Sequence, residues 1–259
     1  MIKVIKFALG LEYDGSYYHG WQSQKSGFLN VQTEVEKAIS IVANHNVSIF
    51  CAGRTDSKVH SFGQVIHFET TAIRKNFSWI FGINNYLPKN ISVKWIKNVP
   101  SIFHARYSAV SRSYRYIIYN SKFRSALFNN RVNYISKKLN IKEMYKASQC
   151  IIGEYDFTSF RSNYCQSNSP YRKIININIF KLKKFIFIDI EADSFLQYMV
   201  RNIIGCLIDI GKMKKNFKWI IYVLKKKNRS FCSSTANPYG LYLLSIKYPN
   251  CFKIPVYNF

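Results

Sequence analysis

Hydrophobic positions recur along this chain with two different periods. Ile5, Phe7, Leu9, Leu11 and Tyr13 alternate with Lys6, Ala8, Gly10 and Glu12. That is the period of a half-buried strand, and the run ends in the turn signal Tyr13-Asp14-Gly15. Val31, Val35, Ala38, Ile39 and Val42 share one face at helical spacing, behind Asn30 as a capping residue. Ile49-Phe50-Cys51 predicts a second strand leading to Gly53, and Gln64-Val65-Ile66-His67-Phe68 a third. Residues 112–119 read as a strand with Tyr114, Tyr116 and Ile118 on one face. Asn140 with Glu143 resembles a capping box for a helix bearing Ile141, Met144, Tyr145 and Ile152, stopped by Gly153. Residues 162–169 form a polar loop ahead of Pro170, and Phe185 to Ile190 a strand. Met199, Ile203 and Leu207 line a longer helix with Gly211 past its end. Strands and amphipathic helices in both halves predict an α+β protein of two packed units, 1–105 and 106–259, without a convincing sequence repeat between them.

Composition changes this picture by adding a partner. The chain carries 38 Lys and Arg against 13 Asp and Glu, a net charge of +25 spread from end to end. So broad a positive field favours polyanions by steering and counterion release, which makes nucleic acid the first partner to consider. The abundance of Lys, Ile and Asn offers a compositional origin for the same charge, so charge suggests a partner without establishing one. The six cysteines include no C-x-x-C pair, and no histidine shares metal-ligand spacing with them. Reduced thiols, no metal and a cytoplasmic location are the expectation. No apolar run reaches the roughly 18–20 residues of a membrane span, and the N-terminus lacks a secretory apolar segment.

Acidic residues are scarce, so Asp56 in the polar segment Gly53-Arg54-Thr55-Asp56, after an apolar strand, stands out. Two readings of it stay open. Asp56 caps the next segment or pairs with Arg54, or it is an ionised nucleophile or base kept charged by a nearby guanidinium. His60 follows as a second polar group. The strand around Tyr114, with Arg112 and Arg115, is an ordinary half-buried strand or a stacking platform flanked by phosphate contacts. Arg201, in an otherwise apolar helix, lies on the solvent face or meets a carboxylate or phosphate. Gln22 and Gln24, beside Trp21, are weaker candidates.

Tyr13-Asp14-Gly15 with Gly20-Trp21-Gln22, then Gly53-Arg54-Thr55-Asp56 with Val59-His60, closely resembles the TruA family of tRNA pseudouridine synthases. The likeness continues through Phe103-His104-Ala105-Arg106, residues 112–116, residues 156–160, Met199-Val200-Arg201-Asn202-Ile203 and Gly240-Leu241-Tyr242-Leu243, in the family's order. The resemblance implies a pseudouridine synthase fold: two similar ferredoxin- or RRM-like α+β halves whose sheets join across a central basic cleft. It implies isomerisation of uridines 38, 39 and 40 in the anticodon stem-loop of tRNA, with no cofactor and in a homodimer. By the same resemblance Asp56 is the catalytic aspartate and Tyr114 stacks on the target base. Arg54 helps open the stack and hold the backbone, and Arg201 pairs with the aspartate. Gln22, Gln24, Lys58, His60, Arg112 and Arg115 are further RNA-binding candidates. The family commonly has Ala-Gly after the aspartate, where this chain has Ser57-Lys58. If that glycine takes a positive φ, Lys58 must adopt it at roughly 1 kcal/mol or the loop must shift. The rival readings are a non-catalytic RNA-binding module of the same architecture and a metal-dependent nuclease, which would need clustered acids where this chain has dispersed ones.

Overall fold

The computed structural model describes residues 4–23 and 27–256. It divides into two compact units, Met1–Arg112 with Leu243–Phe259, and Ser113–Tyr242. The expected boundary at 105/106 thus becomes 112/113, and the segment from Leu243 onward belongs with the first unit. The first unit runs β1 (Ile5–Tyr13), α1 (Val31–Ala43), β2 (Ile49–Cys51), β3 (His60–Thr70), α2 (Asn76–Tyr86) and β4 (Ile91–Asn98). Its strands lie in the order β4-β1-β3, with β2 on β3, every pair antiparallel. This is the β-α-β-β-α-β arrangement of ferredoxin-like domains. Phe7, Leu9, Leu11 and Tyr13 of β1 join Val35 and Ile39 of α1 and Trp79 and Ile83 of α2 in one core. The alternation in β1 therefore selects the face that the helices cover. α1 starts as the sequence predicts, with the Thr33 amide donating to Asn30 Oδ1 at 2.9 Å.

The second unit is built from β5 (Ser111–Asn120), β6 (Asn133–Ile135), α3 (Ile141–Gln149), β7 (Gly153–Asp156), β8 (Tyr171–Leu182), β9 (Phe185–Ala192), α4 (Met199–Gly211) and α5 (Trp219–Lys226). β10 (Leu241–Lys247) carries the chain back to the first unit. The sheet order is β5-β9-β8-β7, with β6 parallel to β5. Along the chain, β5, α3, β8, β9 and α4 repeat the order of β1, α1, β2, β3 and α2, a repeat absent from the sequence itself.

Two helix ends differ from the pattern-based reading. Asn140 caps α3, its Oδ1 accepting from the Glu143 amide at 3.2 Å. Glu143 does not complete a capping box; its carboxylate takes Lys146 at 2.8 Å. α3 also ends at Gln149, and Gly153, with φ +122°, instead opens β7. Gly211 is the last residue of α4 rather than its successor, and packing is the reason: a Cβ there would lie 2.6 Å from Met144 Sδ.

Candidate active site

The segment Gly53-Arg54-Thr55-Asp56 is the connection between β2 and β3. The Ala52 amide still donates to Val65 O at 2.8 Å, so strand pairing holds for one residue past β2. Gly53 then turns away, held by the side-chain amide of the fully buried Gln64. Gln64 Nε2 donates to Gly53 O at 2.6 Å, and Gly53 N donates back to Oε1 at 3.4 Å.

The next residues rest in a cradle built by residues 13–21. Tyr13 Oη and Thr55 Oγ1 are 2.8 Å apart and buried. Trp21 N donates to Thr55 O at 3.0 Å, and Lys58 N to Tyr18 O at 3.1 Å. Val59 N closes the turn on Asp56 O at 3.2 Å. Gly15 is required by close approach, since a Cβ there would sit 2.0 Å from Val59 O. Gly20, at φ +99°, faces Thr55 O in the same way, its Cβ position 2.9 Å away. His60 is buried, with Nδ1 at 3.0 Å from Asp14 Oδ1. Each such buried hydrogen bond contributes about 1 kcal/mol, so together they fix the turn tightly. The result is a half-buried Asp56 between two exposed cations, Arg54 and Lys58. Lys58 takes φ +65°, so the residue in the family's glycine position adopts the left-handed conformation rather than shifting the loop.

These contacts give roles to residues that were only motif letters in the sequence. Tyr13, Gly15, Gly20, Thr55 and Gln64 position the aspartate turn. For Tyr13, Gly15, Gly20 and Thr55 the sole signal was membership of the short motifs in and around the turn; Gln64 stood only in a strand pattern. Two further arginines, Arg106 and Arg112, lie close to this segment. Arg112 donates to Ala52 O at 3.3 Å and to Arg106 O at 2.6 Å. Burial raises the Cys51 thiol to about 11, against the opposing pull of Arg54 and Arg106. Gln22 is exposed, and Gln24 lies outside the described residues.

In the second unit, Tyr114 points inward from β5, nearly buried, with its ring edge-to-face against Phe195 at 5.2 Å. Arg201, half-buried on the first turn of α4, donates from Nε to Ala236 O at 2.9 Å. Its guanidinium lies 4.8 Å from the Tyr198 ring centroid. The neighbouring Asn202 is fully buried and structural, donating to Phe160 O at 2.7 Å and accepting from Thr235 Oγ1 at 2.7 Å. That explains why residues 156–160 and 199–203 appear together as motifs. Arg115 commits its fork to Asp189, at 2.7 and 2.8 Å. His60 and Arg115 are thus held by intramolecular contacts, which lend no geometric support to their RNA-binding assignment. Among the described residues, no group of three or more His, Cys, Asp or Glu side chains is placed to hold a metal ion.

A family model described as tRNA pseudouridine synthase matches residues 11–108 and 147–249. The tRNA pseudouridine synthase A of Buchnera aphidicola subsp. Schizaphis graminum (strain Sg) is 59% identical over 254 residues, covering 98% of this chain and 95% of its own. That of Escherichia coli (strain K12) is 47% identical over 252 residues, covering 97% and 93%.

Proposed function

The chain belongs to the tRNA pseudouridine synthase family, and from that premise we propose that Asp56 is the carboxylate through which it isomerises uridine. The enzyme is an isomerase acting on tRNA. The observation that carries the assignment of Asp56 is its turn: half-buried, flanked by Arg54 and Lys58, pinned through Thr55 and Lys58 to residues 13–21 and closed by Val59 N on Asp56 O. A carboxylate so fixed is preorganised for one substrate geometry.

The target uridine has to leave its stack before a carboxylate can reach the ribose, at a cost of a few kcal/mol. Tyr114 replaces lost stacking, worth about 1–3 kcal/mol per base. Arg54 holds the displaced backbone, and Arg201 is the cation that the resemblance assigns to the aspartate. Asp56 then attacks C1′ or removes a ribose proton, and both routes need it ionised. The N1–C1′ bond breaks, the uracil turns, and C5 bonds to C1′. The proton leaves C5 and one is taken up at N1, so the product is an isomer and no cofactor is consumed. The sites proposed are uridines 38, 39 and 40 of the anticodon stem-loop.

Asp56→Asn keeps the shape of the side chain and removes its charge. Carbodiimide-primed reverse transcription of a treated tRNA transcript should then show no pseudouridine stops, with tRNA affinity within a few-fold of the parent. Substantial turnover by the variant would take Asp56 out of the mechanism. We further propose a cytoplasmic homodimer. All six cysteines are free thiols, as a reducing compartment requires. α2 also exposes Phe77 and Phe81, with ring centroids 4.0 Å apart, an apolar pair suited to a second copy. Light scattering should return twice the chain mass; a monomer mass at assay concentration would reject the dimer.

A further inference from the structure

Ile49 and Cys51 of β2 pack toward the helix-covered core, so Phe50 faces the opposite side of the sheet, where it remains 54% exposed. It is the first of four rings in file. Phe50 stacks on His67, with centroids 5.0 Å apart and planes 18° apart. His67 meets His104 edge-on at 4.5 Å, and His104 packs against Tyr107 at 4.3 Å with a 30° tilt. Tyr107, at the far end, is 76% exposed.

Scattered exposed aromatics are ordinary; a contiguous file held on a rigid turn is not. The Ala105 amide donates to His67 Nδ1 at 3.1 Å. The Arg106 and Tyr107 amides donate to His104 Nδ1 at 3.2 and 3.3 Å. His104 N donates to Ser108 Oγ at 3.0 Å, and Ser108 N to His104 O at 2.9 Å. Both imidazoles therefore accept through Nδ1, which requires that nitrogen to be unprotonated. Desolvation acts in the same sense, lowering His67 to about 4 and His104 below its usual value. The file is four neutral π faces on a fixed backbone.

Its margin is cationic. The Arg106 guanidinium lies 5.7 Å from the Tyr107 ring centroid, and Arg112 bonds the Arg106 carbonyl. Arg54 and Arg106 both act on the thiol of Cys51, the residue after Phe50. The one nearby carboxylate that acts on His67, Glu69, pairs with Lys6 at 3.1 Å. Within this unit the file thus begins on β2, the strand that leads into the segment carrying Asp56, and Arg112 ties the Ala52 carbonyl at the start of that segment to the Arg106 carbonyl beside Tyr107.

We propose that Phe50 and Tyr107, supported by His67 and His104, form a stacking platform for unpaired nucleotides of the RNA substrate, with Arg106 holding an adjacent phosphate. This rests on the reading of tRNA as substrate. Every base has a π face, so such a platform binds without reading sequence, and its occupant has to be unpaired to offer that face. Each stacked base is worth roughly five- to 150-fold in affinity.

The test is tRNA binding across a salt series. Tyr107→Ala with Phe50→Ala should weaken binding of an unmodified tRNA transcript at least about tenfold. The slope of log affinity against log salt should stay unchanged, because no charge is removed. Arg106→Gln should instead lower that slope by about one unit. In Tyr107→Trp, which keeps an aromatic face, the added indole emission should be quenched by the transcript. A double variant with an unchanged thermal melt and undiminished tRNA affinity would overturn the platform. So would one whose mass in solution halves while tRNA affinity holds, since the rings would then belong to an interface between copies. If the parent protein itself fails to bind tRNA, the substrate reading falls and the platform with it.

Discussion

Lys58 holds φ at +65° beside a carboxylate whose position matters to the chemistry. A side chain in the left-handed region costs about 1 kcal/mol relative to glycine, and the cradle of Tyr18 and Val59 around it supplies the contacts that hold it there. Replacing Lys58 by Gly should therefore raise stability by roughly 1 kcal/mol, about 2–4 °C in Tm for a chain of this size. If the ammonium also contacts a phosphate, the same variant should lose about one unit of salt slope in tRNA binding. A calorimetric Tm that stays level or falls would show that the strain is already relieved by neighbouring contacts. At this scale the sequence marks the charged residues and misses what holds them. Asp56 and Arg54 announce themselves as a carboxylate and a cation in a turn where acids are rare. Tyr13 reaches Thr55 across 42 positions and Gln64 reaches Gly53 across 11. No local pattern encodes such a hydrogen bond, because both partners look like ordinary strand or turn residues until the chain folds.

Elements were legible in proportion to how one-sided their surroundings are. β1 and α1 each send their bulky apolar residues to the shared core, the other face of β1 holding at its centre only the small, buried Ala8 and Gly10, so their periods of two and 3.6 survive in the sequence. α2 does not: it buries Trp79 and Ile83 and exposes Phe77 and Phe81, which leaves apolar residues on both sides and no stripe to read. β3 is covered on both faces, burying Gln64 and His67 along with Ile66 and Phe68, so polar letters there do not mean solvent. That is also why His67 carried no signal, and His104 none beyond its place in the motif Phe103-His104-Ala105-Arg106. A buried neutral imidazole accepting from a backbone amide has the same letter as a surface one. The structural repeat of the two units escapes for a related reason. The order of strands and helices is shared, while the side chains that fill each core differ: Trp79 and Phe68 in one, Ile203 and Met144 in the other. Resemblance to a family overcame this where periodicity could not, since its motifs are the close approaches themselves. Gly15 against Val59 and Asn202 against Phe160 are contacts that tolerate little substitution.

The charge of +25 is a property of the molecule as a whole, and its meaning is decided by where the carboxylates go. Glu12, Glu69, Glu143, Asp156, Asp189 and Asp209 each stand within an ion pair with a lysine or arginine of the same chain. The remaining surplus of lysine and arginine has too few acids left to neutralise it internally, so a polyanion is the partner that completes the balance. Two origins of that surplus make different predictions. If lysines accumulated by composition alone and do not contact the substrate, binding should respond weakly to salt. If they line the path of an RNA backbone, each phosphate contact releases counterions and adds about 0.7–0.9 to the slope of log affinity against log salt. For six or more contacts, affinity for a tRNA transcript should fall on the order of a thousandfold between about 50 and 200 mM salt. A titration that changes less than about tenfold over that range would return the charge to composition. Because salt weakens phosphate contacts far more than stacking, the residual high-salt affinity should come from aromatic faces, and that fraction should respond to ring substitutions more than to charge substitutions.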